Sequence, residues 1–267
     1  MFDPEDLEAL ADAVHTLENP GLAIQITNVV GQPMEYALKS LPDEISQRIA
    51  SITNAALLSA LRVATSTLRS NGDVRPSNRI HKALSTLSGA IGGAFGIPAL
   101  AIELPFSTTI ILRSVADIAR AQGENIRLPE TQLACIEVFA LGSRSKSDDA
   151  ADTGYYATRT VLARSISEAG KYIAERGLAE EGAPAIVRLI TNIAARFKLP
   201  VSAKFAAQSI PAIGAAGGGA INLIFISHFQ DMARGHFTVR RLERKYGDGL
   251  IRTEYDRIKR SNEAAKR

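Results

Sequence analysis

Two long stretches of this 267-residue chain carry no charge and are rich in glycine, and they restrict its possible folds more than any other feature. Leu84 to Ile102 runs nineteen residues without Asp, Glu, Lys or Arg and holds Gly89, Gly92, Gly93 and Gly96. Phe205 to Ser227 runs twenty-three and holds Gly214, Gly217, Gly218 and Gly219. Glycine inside a helix costs about 1 kcal/mol relative to alanine, so several together imply an offsetting gain from the close approach of a second backbone. The pairs Gly89/Gly93, Gly92/Gly96 and Gly214/Gly218 fall four apart, the spacing small residues use in membrane and buried helix pairs alike. Gly89, Gly92, Gly93, Gly96, Gly214 and Gly218 are therefore expected to be helix-packing positions.

The remaining sequence predicts an all-α fold. Apolar residues recur three and four apart, and no run alternates as a half-buried strand would. One stripe runs through Ile45, Ile49, Ile52, Ala56, Ala60 and Val63, between Pro42 and Leu68. Further helices are predicted from Pro129, with Leu133, Ile136 and Ala140 on one face, and from Pro184, with Ile186, Ile190, Ile193 and Phe197. Another is expected to open at Asp148, Asp149 and Asp152 behind a Ser147 cap and to carry Tyr155, Arg159, Leu162, Ile166 and Ile173. These amphipathic helices would form a bundle around two glycine-rich apolar helical hairpins. The hairpins share an order: Ile97-Pro98-Ala99-Leu100 matches Ile210-Pro211-Ala212-Ile213, and the apolar helix after each reaches Asp-x-Ala-Arg, at Asp117 to Arg120 and Asp231 to Arg234.

Charge and cysteine narrow the setting. The only cysteine, Cys135, lies in a helical apolar run, so no intrachain disulfide can form and a buried thiol is expected. Met1 to Asp6 is acidic where a secretory signal would be basic, and the expectation is a cytoplasmic protein, peripheral on the inner face of the cell membrane. Arg234 to Arg267 holds eleven Lys or Arg against five Asp or Glu, a balance of +6 in a chain whose net charge is +3. No nucleic-acid-reading module accompanies that charge, so the expected partner is a membrane surface or a membrane protein rather than nucleic acid. The organisation expected is an N-terminal helical segment over residues 1–40, a helical domain over 41–255 and a basic tail over 256–267.

Length permits both apolar stretches to cross a bilayer, but their Gly, Ala, Ser and Pro content suits a buried core pair or reversible membrane association as well. No zinc, triad, Walker or dinucleotide motif is present, and no cofactor or metal is expected. One constellation could carry chemistry. His228 and Asp231 share a face of the second apolar helix, with Asn222 a turn and a half earlier, while Glu103 and Asp117 hold comparable places in the first. Converging, Glu103, Asp117, His228 and Asp231 could act as acid and base in a hydrolase.

The order of elements resembles the EcsC family. The resemblance runs from Leu41-Pro42 to Tyr255 and rests on Gly96-Ile97-Pro98, Glu103-Leu104-Pro105, Leu128-Pro129-Glu130, Ile210 to Ala215, and above all Phe237 to Gly247 (FTVRRLERKYG). Where other members carry Tyr-Gly after the first apolar helix, this chain has Ala121-Gln122-Gly123. The resemblance implies an all-helical bacterial protein connected with membrane transport, since the family is named for a gene neighbour of an ABC transporter, and it carries over no catalytic residues. Some members are labelled peptidases, a label that no nucleophile or base arrangement here supports. The function expected is a non-enzymatic accessory protein at a membrane or on transport machinery such as an ABC transporter. The alternatives are a hydrolase and a carrier of an apolar ligand held between the hairpins.

Overall fold

The computed structural model describes residues 2–31, 38–39, 41–67, 96–141, 154–176, 183–209 and 214–265. Every regular element among them is helical, as the periodicity predicts. In chain order they are α1 (Pro4–Glu18), α2 (Leu22–Val30), α3 (Asp43–Thr67), α4 (Ile97–Ala121), α5 (Pro129–Glu137) with a 3-10 turn (Val138–Ala140), α6 (Tyr155–Arg176), α7 (Pro184–Gln208), α8 (Gly214–Tyr246) and α9 (Asp248–Ala264). Proline opens α1, α4, α5 and α7, where its missing N–H would have no intrahelical partner anyway.

The 33-residue α8 is the spine of the molecule, roughly 50 Å long. Helices α1, α2, α4, α7 and α9 pack on it, and α3 lies against α4 and α7. One buried apolar core runs from Leu10 in α1 to Ile258 in α9. The α3 stripe faces it through Ile49, Ala56 and Ala60.

Helices α4 and α8, which carry the paired sequence pattern, lie side by side. They run parallel: Glu103 of α4 is joined to Asn222 of α8 through Lys204, and further along both helices Gln230 Nε2 donates to Ser114 Oγ at 2.8 Å. Their repeated acid and base form matching surface pairs, Asp117–Arg120 at 3.1 Å and Asp231–Arg234 at 2.9 Å.

The uncharged stretch Phe205 to Ser227 is shared by two helices: its first residues end α7 at Gln208, Ser209 caps it, and α8 starts at Gly214. A single bilayer-crossing helix is therefore not built from it. Helix α5 is not one-faced, because every residue from Thr131 to Leu141 is buried. Among the helix-packing glycines, Gly96 caps α4 at φ +139°, a conformation L side chains rarely adopt. A Cβ built on Gly218 meets no described atom within 4 Å, and Gly214 is the first residue of α8. Gly89, Gly92, Gly93 and the helix opening at residues 147–152 lie outside the described residues.

Candidate functional site

The four residues expected to converge have different surroundings. Asp117 is exposed and Asp231 half-exposed, and each pairs with the arginine three residues on rather than with the other candidates. His228 is buried against the Phe229 ring, its Nε2 has no hydrogen-bond partner, and burial alone pushes its pKa down to about 4. Glu103 is buried too, but its partner is a residue that sequence reasoning passed over. Lys204 Nζ donates to Glu103 Oε1 at 2.6 Å and to Asn222 Oδ1 at 2.8 Å, and sits 4.6 Å from the centre of the Phe225 ring.

Lys204 is fully buried. Burial lowers its pKa, and the Glu103 charge opposes that shift. Removing two charges from water costs several kcal/mol per ion, and only close pairing with additional polar contacts offsets it. Here the second contact is Asn222 and the third the electron-rich ring face. The cluster ties α4, α7 and α8 together at one level. It had a sequence signal: Lys204 is the single charge between the end of one amphipathic helix and an uncharged run, where a solvated lysine has no reason to be.

A second polar cluster, largely buried, joins α1, α5, α6, α8 and α9. Tyr155 Oη lies 3.0 Å from His236 Nδ1 and accepts a bond from Arg159 at 3.2 Å. Which of the two groups donates follows the imidazole tautomer; His236 Nε2 lies 3.9 Å from Glu137 Oε2 and has no hydrogen-bond partner among the described residues. Burial pushes the Glu137 carboxyl up to about 7, and burial together with the Arg159 and Arg240 charges holds the His236 imidazole well below its usual range. Arg159 and Tyr156 both donate to Glu243 Oε1, at 2.7 and 3.0 Å. Tyr255 and the backbone N–H of Tyr155 donate to Glu18 Oε1, and Lys259 pairs with the same carboxylate. Tyr155 and Arg159 stood in the sequence only as helix-face residues; what joins them to His236 is tertiary and leaves no local mark. Most groups of this cluster are buried, and its geometry holds five helices together.

The run Phe237 to Gly247 acquires a physical explanation. Arg240 and Arg244 close on Glu124 in the turn after α4, while Arg241 and Lys245 close on Asp6 of α1. Lys245, with help from Tyr246 and Arg241, holds the Asp6 carboxyl down at about 2 despite its burial. Gly247 turns the chain into α9 at φ +93°. Seven of the nine described Lys and Arg residues from Arg234 onward are ion-paired within the molecule. Most described cations of the C-terminal region are thus paired in place.

Among the described residues, no three of His, Cys, Asp and Glu are grouped as ligands of a metal ion would be. Cys135 is buried, and burial raises its thiol pKa to about 12. A family model described as the EcsC protein family matches residues 5–242, so the chain belongs to the EcsC family. No curated protein and no solved structure matches it.

Proposed function

We propose that this member of the EcsC family is a non-enzymatic helical accessory protein. In this reading it works at the inner face of the cell membrane and docks there through the apolar, N-terminal ends of α4 and α8. The observation that carries the reading is the outward side of α4. That helix is long and apolar enough to cross a bilayer, yet half of its most apolar stretch is buried inside the molecule. Its free side begins with Ile102, 78% exposed, and Phe106, 39% exposed; beside it on α8, Leu223 is 65% exposed. Further along, the same side of α4 turns polar at Arg113 and Asp117. An apolar tip on a polar shaft suits shallow insertion into an interface better than passage through it. The family's link to a neighbour of an ABC transporter is in keeping with work at a membrane.

Because most C-terminal cations are already paired, the attraction rests on apolar contact rather than on the tail. The purified chain is expected to float with phosphatidylcholine vesicles and to keep most of that binding at high salt, which would screen exposed charges. Ile102→Asp with Leu223→Asp should abolish flotation while leaving helix content unchanged by circular dichroism. Flotation that persists in this variant, or its absence in the unaltered chain, overturns the proposal.

A further inference from the structure

An open groove of about 760 Å³ lies between the start of α3, α6 and the C-terminal half of α7. Its aliphatic lining is Leu38, Leu41, Val161 and Leu199, with Val161 and Leu199 exposed. Three cations border it, Lys39, Arg196 and Lys198, against the single carboxylate of Asp43. No described carboxylate pairs with any of the three. Elsewhere the half-buried cations are consumed: Arg159 by Glu243, Arg240 by Glu124, Arg241 by Asp6. Arg196 and Lys198 are likewise half-buried and line the groove, and no described carboxylate is paired with either.

We infer that this groove binds an anionic phospholipid, its phosphate held by Lys39, Arg196 and Lys198 and the start of its acyl chains laid on the Leu and Val floor. Charge complementarity selects an anion, because the described rim of the groove carries three positive groups and one negative group. The floor selects the rest of the ligand: the described lining has aliphatic side chains and no aromatic ring on which a nucleotide base could stack. Position favours a lipid in a membrane. Leu199 is five residues before Lys204, roughly 8 Å along α7, and Lys204 fixes that end of the helix beside the exposed Ile102 and Leu223. The inference rests on the membrane reading and adds a lipid preference to it.

Flotation of the full chain with phosphatidylcholine vesicles, alone or mixed with phosphatidylglycerol, separates the two proposals. The unaltered chain should float with both and several-fold more with the anionic mixture. Arg196→Glu with Lys198→Glu should keep the phosphatidylcholine level and lose the excess, with an unchanged thermal melt showing that it folds. Equal flotation of the unaltered chain on both vesicles, or an excess that survives the charge reversal, overturns the groove and leaves the membrane proposal standing. If the chain floats with neither, the membrane proposal falls, and calorimetry with monomeric short-chain phosphatidylglycerol decides the groove separately. Binding weakened roughly tenfold by the charge reversal, and not reproduced by inorganic phosphate, supports it; no binding, or binding unaffected by the reversal, overturns it.

Discussion

Lys204 and His228 are both buried polar groups with opposite histories. Lys204 has Glu103, Asn222 and a ring face around it, so removing it strands a buried carboxylate. Lys204→Met is expected to destabilise the fold by about 3–5 kcal/mol, and Glu103→Leu in the same chain to recover most of that loss, because the apolar pair leaves no charge behind. Chemical denaturation of the single and double variants measures it. His228 has no partner at Nε2 and should be dispensable at neutral pH: His228→Leu is expected to be neutral or stabilising there. Its consequence lies in acid. An unfolded histidine takes up a proton near pH 6.5, whereas the folded His228 refuses one until about pH 4, so its share of stability is whole above 6.5 and shrinks as pH falls through that window. The shift corresponds to about 3 kcal/mol. Glu137 acts with the opposite sign, since the folded carboxyl keeps a proton up to about pH 7 that the unfolded chain releases near 4.5. Stability measured from pH 7 down to 4 should therefore fall less steeply in His228→Leu than in the unaltered chain.

At the scale of helices, α1 approaches α8 closely at Gly235. A Cβ built there would stand 2.8 Å from Leu17 Cγ, so α1 rests directly on the α8 backbone. Gly235→Ala should gain about 1 kcal/mol of helix propensity and lose more to the clash. The expected net loss is about 1 kcal/mol, reversed to a gain when Leu17→Ala opens the space; thermal melts of the two single variants and the double variant test this. A lone glycine within a charged, amphipathic helix gave less signal than the four-spaced clusters, and that is why the sequence pointed elsewhere. The amphipathic helices were legible because burial repeats along them every three or four residues. The α4/α8 pairing was legible because two segments share one pattern, down to their Asp–Arg surface pairs. The Lys204 cluster and the tyrosine–histidine cluster were not, since each is assembled from helices far apart in the chain, and periodicity records only which side of a helix is buried.

The described helices are tied together by contacts between α1 and the distant α8 and α9. Asp6 meets Arg241, Lys245 and Tyr246, and Glu18 meets Tyr255, partners more than two hundred residues away in sequence. Leu10, Val14 and Leu17 of α1 are buried in the same junction. Such a topology constrains assembly more than it constrains the finished fold. Helix α1 is completed late, because the helices it packs against most, α8 and α9, are synthesised about two hundred residues after it. Throughout translation α1 is exposed to the ribosome surface, chaperones and proteases, and the long loop closed by its docking slows the final step relative to a bundle built from neighbouring hairpins.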